Sequence, residues 1–167
     1  TGSSYAGGLV GQNHGGNISN SYSTGNVVGG ASATAGGLVG LNGPAFYGGT
    51  TITNSYSTGQ VSGNIVGGLV GTNQGTVTNS FWDTQTSLTT DGVGNQNPDP
   101  VGLTGKTTAQ MKTLSTFTDS GWDFSSTDGD AADWWMPFND YPRLAWNYPY
   151  GGGSGTTEDP YLIFTAE

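Results

Sequence analysis

The sequence predicts an all-β chain. The expected fold is a β-solenoid of the parallel β-helix kind, with about three coils and an irregular C-terminal cap that holds one short helix. Three observations predict it. Gly7-Gly8-Leu9-Val10-Gly11 returns as Gly36-Gly37-Leu38-Val39-Gly40 and again as Gly67-Gly68-Leu69-Val70-Gly71, at steps of 29 and 31 residues. The repeated unit is made of short runs of β-formers, each closed by Gly or Asn, with none at helical spacing. Length differences between copies fall in turn-forming stretches, where a solenoid tolerates insertion.

Each pentapeptide is followed two residues later by Asn (Asn13, Asn42, Asn73). Next comes a β-branched residue two before an Asn-Ser-aromatic triplet. These are Ile18 with Asn20-Ser21-Tyr22, Ile52 with Asn54-Ser55-Tyr56, and Val77 with Asn79-Ser80-Phe81. The first two triplets continue as Ser-Thr-Gly, and Thr1-Gly2 reads as the end of another such phrase. Between pentapeptide and triplet the copies span 13, 18 and 12 residues, and the surplus in the second copy is Gly43 to Gly49, which carries Phe46 and Tyr47. If each unit is one coil, equivalent residues stack about 4.8 Å apart along the axis. Leu9, Leu38 and Leu69 then form an internal ladder, Tyr22, Tyr56 and Phe81 an aromatic one, and Asn20, Asn54 and Asn79 an amide ladder.

From Asp83 the repeat stops. Residues 83–100 are polar and end in Pro98-Asp99-Pro100, which reads as a loop. Thr107-Thr108-Ala109-Gln110 has the form of a capping box, so a short helix is expected near 108–115, with Met111, Leu114 and Phe117 on its apolar side. Laid over the last coil, it would shield an open sheet edge. Gly121 to Phe124, Trp134 to Met136 and Tyr141 to Trp146 are aromatic strand candidates for one or two closing coils, with Trp122 and Trp146 in their core. The division expected is a solenoid over 1–83, a closing cap over 84–150, and over 151–167 a glycine hinge followed by a strand.

These phrases resemble the GLUG-motif repeat, found in large secreted and cell-surface proteins of bacteria and archaea, often adhesin-like. The resemblance covers residues 1 to about 83 three times over. Phe81-Trp82-Asp83, Leu103 to Lys112 and Gly121 to Phe124 resemble the segment that often closes such arrays. The resemblance implies an extracellular or cell-surface location and a repeat architecture, and it names no reaction. The phrase Pro160 to Glu167 is similar to one that tends to open an array, so the chain reads as cut out of phase with its own coils.

Charge divides the chain. Every Asp, Glu, Lys and Arg lies at position 83 or later, so the formal charge of −9 belongs to the second half, and an uncharged first half with an acidic second half makes nucleic acid a poor partner. No apolar run approaches a membrane span, so membrane insertion is not expected. Without cysteine there is neither a disulfide framework nor thiol chemistry, and the one histidine, His14, stands where the third copy has Gln74 and reads as a solvated corner. No catalytic residue is therefore assigned.

Asp119, Asp123, Asp140 and Glu158 are weighed as glycosidase carboxylates and set aside, because none falls on a repeat face. Asp128, Asp130 and Asp133 could offer oxygens to calcium, but the loop lacks the spacing of a calcium motif, so no cofactor is expected. Phe46, Tyr47, Trp134 and Trp135 are candidate glycan contacts. Asn17-Ile18-Ser19 is a glycosylation sequon.

The reading reached is a non-catalytic structural or adhesive surface protein whose partners are copies of itself or adjacent repeat modules. Tyr161, Leu162, Ile163 and Phe164 are expected to pack on the first coil of a neighbour, near Leu9 and Val10, building a head-to-tail array. A carbohydrate-binding surface module is the alternative, and a β-helical polysaccharide-degrading enzyme stands behind both.

Overall fold

The computed structural model describes residues 4–43, 49–124 and 133–145. It is a stack of parallel coils. The first coil runs through Tyr5–Gly7, Val10–Asn13, Asn17–Ser19, Tyr22–Ser23 and Val27–Val28. The second runs through Thr34–Gly36, Val39–Asn42, Thr51–Thr53, Tyr56–Ser57 and Val61–Ser62, and the third through Ile65–Gly67, Val70–Asn73, Thr76–Thr78 and Ser80–Asp83. Every strand pairs in parallel with its equivalent one coil away, in the register set by the repeats: Val10, Val39 and Val70 align, as do Ile18, Ile52 and Val77, and Tyr22, Tyr56 and Phe81.

The pentapeptide is glycine-rich for steric reasons. A Cβ on Gly7, Gly36 or Gly67 would lie 2.1, 2.0 or 1.8 Å from the carbonyl oxygen of Val10, Val39 or Val70, where the chain bends back on itself. A Cβ on Gly8 or Gly37 would strike the side chain of Ser23 or Ser57, and one on Gly68 would strike Trp82. The Leu-Val that follows points into the coil, and Leu38, Val39, Ile52, Leu69, Val70 and Val77 form the central column with Trp82, Val93 and Leu103.

The second corner is built by Asn-Ser. Asn20, Asn54 and Asn79 have φ of 44°, 47° and 47°, the left-handed region that Asn tolerates better than most residues. The serine after each donates its hydroxyl to the carbonyl two residues back (Ser21 to Ser19, Ser55 to Thr53, Ser80 to Thr78, at 2.7–2.9 Å). The same oxygens on Ser55 and Ser80 accept the backbone N–H of Ser21 and Ser55, at 3.3 Å, so the corner is tied from coil to coil.

An amide ladder is present, but on the other asparagine set. Asn13 Nδ2 donates to Asn42 Oδ1 at 3.0 Å, and Asn42 Nδ2 donates to Asn73 Oδ1 at 2.9 Å. Asn20, Asn54 and Asn79 do not stack in this way. Their backbone is committed to the turn, and the Asn20 amide bonds to the cap through Asp133 and Trp134.

A partial fourth coil extends the solenoid past residue 83. Leu69 and Val70 donate backbone N–H groups to the Gly92 carbonyl, Val93 bridges to Val70, and Leu103–Lys106 pairs in parallel with Ser80–Asp83. Gly92 takes the place that Leu69 holds one coil earlier, and Trp82, aligned with Ser57, turns inward against it. Trp82, packed between Gly68 and Gly92 where Ser23 and Ser57 meet glycine in the earlier coils, thus closes the column at this end.

The expected single helix is two short ones, α1 (Thr108–Met111) and α2 (Ser115–Thr118), with the Thr107–Gln110 capping box in place. Met111 and Phe117 are buried, while Leu114 is exposed because it sits at the break between the helices. Gly121 to Phe124 forms no strand; Trp134–Trp135 and Arg143–Leu144 pair antiparallel instead of adding a coil. The cap lies along the flank of the coils rather than across their end, for Trp134 meets Tyr22 of the first coil and Trp122 Nε1 donates to the Asn79 carbonyl of the third.

Leu38, sealed between Leu9 above and Leu69 below, tests the stack. Leu38→Ala should lower unfolding free energy by about 2–5 kcal/mol in a denaturant titration. Leu38→Asp should prevent folding, read as loss of the cooperative transition, because the carboxylate would have no partner in the column.

Candidate functional site

The flank where the cap meets the coils gathers the chain's aromatic and charged groups. Register places Tyr22, Tyr56 and Phe81 in one row, with Tyr22 and Tyr56 stacked at 5.2 Å and 4°. Phe117, Trp122 and Trp134 close over this row, with Trp122 and Trp134 4.6 Å apart and Phe117 edge-on to Phe81 at 5.4 Å. Tyr56 is fully enclosed and donates its hydroxyl to the Pro142 carbonyl at 2.5 Å, and burial pushes its phenol well above the ordinary value.

Asp83 anchors the cap. Its buried carboxylate accepts four hydrogen bonds: Oδ1 from the N–H groups of Gln85 and Thr86, and Oδ2 from the hydroxyls of Thr108 and Tyr141, both at 2.7 Å. It stands where the first two copies have Thr24 and Thr58, and it is the first charged residue of the chain, a signal that sequence reading passed over. Beside it, Tyr141, Asp140 and Arg143 of the cap face Tyr22, Thr24 and Tyr56 across a cleft of about 160 Å³. Arg143 and Asp140 form an ion pair at 2.8 Å.

The residues singled out from sequence fall in several places. Leu9 and Val10 lie on the outer face of the first coil: Leu9 is 50% exposed and Val10 half-buried, whereas Leu38 and Leu69 are fully enclosed. Trp134 is not available as a glycan contact, since it is 1% exposed and packed between Tyr22, Tyr56 and Trp122; Trp135 beside it is half-buried. Asp133 is exposed and accepts from the Asn20 amide at 2.7 Å. Asp128, Asp130, Phe46, Tyr47, Trp146, Glu158, Tyr161, Leu162, Ile163 and Phe164 lie outside the described residues. Among the described residues no group of three or more His, Asp or Glu side chains could hold a metal. His14 is exposed at its corner, with Nε2 3.0 Å from Gln12 Oε1, and Asn17 of the sequon is exposed.

The GLUG motif matches residues 2–28. A protein of Evansella cellulosilytica described as a Gly-rich membrane protein is 36% identical over 137 residues, covering 82% of this chain and 11% of its own length. The chain therefore spans about a tenth of that relative. No solved structure matches. Among the described residues no helix is long and apolar enough to cross a membrane.

The Asp83–Tyr141 contact yields a pH prediction. Burial, and then the hydrogen bond to Asp83, raise the Tyr141 phenol from 10 to about 12. A group whose folded value is raised adds stability below its unfolded value and loses it as pH rises through the folded one. The melting temperature should therefore fall between pH 10 and 12, and fall less steeply in Tyr141→Phe. At neutral pH, Asp83→Ala should cost about 2–4 kcal/mol in a denaturant titration, since it strands the donors of Thr108 and Tyr141.

Proposed function

We propose that this GLUG-motif repeat chain is a non-catalytic structural and adhesive module of the cell exterior, extended along its solenoid axis by strand addition. The observation that carries the reading is the difference between the two ends of the hydrophobic column. At the third-coil end, Trp82, Val93 and Leu103 seal it. At the first-coil end no described residue does so, and Leu9, Val10 and Ile18 remain partly open.

The backbone has the same polarity. Leu9 N–H donates to the Leu38 carbonyl, Leu38 N–H to the Leu69 carbonyl, and Leu69 N–H to the Gly92 carbonyl. The Leu9 carbonyl, last in that series, receives no N–H from the described residues and is set to accept one from a further parallel strand. The occupant we assign is the segment Tyr161, Leu162, Ile163 and Phe164 of a neighbouring copy or module, an apolar sequence that follows the glycine-rich run Gly151 to Gly155. A heterologous contact of this kind propagates instead of closing on itself. The match to a small part of a much longer relative described as a membrane protein supports a modular, surface-associated role.

Deletion of residues 156–167 tests the reading. By light scattering, the intact chain should form concentration-dependent species larger than its 17.1 kDa, and the deleted chain should be monomeric. If both are monomers of equal thermal stability, the strand-addition reading fails.

A further inference from the structure

We infer that the cleft between the tyrosine row and the cap is a binding site for one neutral pyranose residue of a glycan. Its size is the first argument: about 160 Å³ suits a single sugar ring and falls below the roughly 300–1,000 Å³ of pockets for larger ligands. Its chemistry is the second. The half-buried Tyr22 and Tyr141 supply aromatic surface for the C–H groups of a sugar ring over the enclosed Tyr56, and the exposed Thr24 hydroxyl adds a group that can donate or accept.

The charged pair narrows the class. Asp140 Oδ2 accepts from Arg143 Nη2 at 2.8 Å while Oδ1 accepts the Tyr141 N–H at 2.8 Å, and each oxygen keeps a lone-pair site for a further donor. Arg143 is exposed and its guanidinium retains N–H groups beyond the one committed to Asp140. A carboxylate and a guanidinium at this separation present an acceptor beside a donor, which matches neighbouring ring hydroxyls that donate from one oxygen and accept at the next. The Asp140 and Arg143 charges neutralise each other. The two charges next to Tyr141, Lys112 with Nζ 5.2 Å from its ring and the buried Asp83 that accepts its hydroxyl, are again opposite in sign, so the cleft offers little surplus charge to a phosphate, a sulfate or an acidic sugar. The backbone that carries the pair is held on both sides. Arg143 is held by antiparallel pairing with Trp135, and Tyr141 by its bond to the buried Asp83.

The inference does not rest on axial assembly, since the cleft is formed within one chain. The test is a saturation-transfer NMR titration of the full chain with methyl glucoside, methyl galactoside and methyl mannoside, repeated with inorganic sulfate. At least one hexoside should show saturable transfer to its ring protons, and sulfate should not displace it. Arg143→Gln, at an exposed position that leaves the packed aromatic row intact, should weaken that binding by about tenfold or more. Thr24→Arg, which fills the mouth from the solenoid side, should abolish it. Absence of transfer from all three hexosides, displacement by sulfate, or undiminished binding in both variants of unchanged melting temperature would overturn the assignment.

Discussion

In-register parallel stacking is the constraint on which this structure depends. Each residue meets its own equivalent one coil away, so a position is acceptable only if it can sit on a copy of itself. Glycine meets the condition where backbones cross: a Cβ on Gly36 would lie 2.4 Å from the Gly71 nitrogen as well as 2.0 Å from the Val39 carbonyl oxygen. Asparagine meets it because its amide both donates and accepts, so Asn13, Asn42 and Asn73 hydrogen-bond in series. Aspartate in such a row would repel its neighbour, a physical reason for the first 82 residues to hold no carboxylate at all. The absence of charge is thus a consequence of the stack as much as a feature of its surface.

The same rule explains why the chemistry moves to the flank. Side chains inside the coil are confined to those that fill a narrow column, and the ladders commit the polar groups of the corners. Tyr22, Tyr56 and Phe81 project from a corner made by left-handed asparagines, and rings of this size need cover. The cap supplies it with Phe117, Trp122 and Trp134, and it is free of the repeat rule because it stacks on nothing like itself. Charged residues can therefore appear there, and the ion pair of Asp140 and Arg143 lies where repeat and cap meet.

Much of the solenoid was legible in the sequence because a repeated phrase reports a repeated environment. The strand register and the buried Leu38 and Leu69 follow from it directly, and the Thr107–Gln110 capping box was legible as a local motif outside the repeat. What was not legible had lost the repeat or was not local. The two asparagine sets are indistinguishable by composition, and only backbone conformation decides which one forms the amide row. The partial fourth coil was hidden because two changes compensate each other, a glycine at 92 and a tryptophan at 82, which belong to successive coils and touch in space. The cap's position along the flank depends on contacts such as Trp134 with Tyr22 and Tyr141 with Asp83, separated by 112 and 58 residues, for which no short motif exists.

The two ends of the column then differ for a reason within the repeat itself. Closing a stack requires a coil that breaks the rule, and this chain does so after Phe81, where tryptophan replaces serine, aspartate replaces threonine and the next coil is partial. The first coil obeys the rule throughout, with its Gly-Gly-Leu-Val-Gly intact and Leu9 half exposed. A coil that keeps the full repeat keeps the capacity to be stacked upon, because its outer face presents the same leucine, valine and carbonyl row that the second coil presents to it. The contrast between a rule-keeping first coil and a rule-breaking last one gives the described stack a direction along its axis.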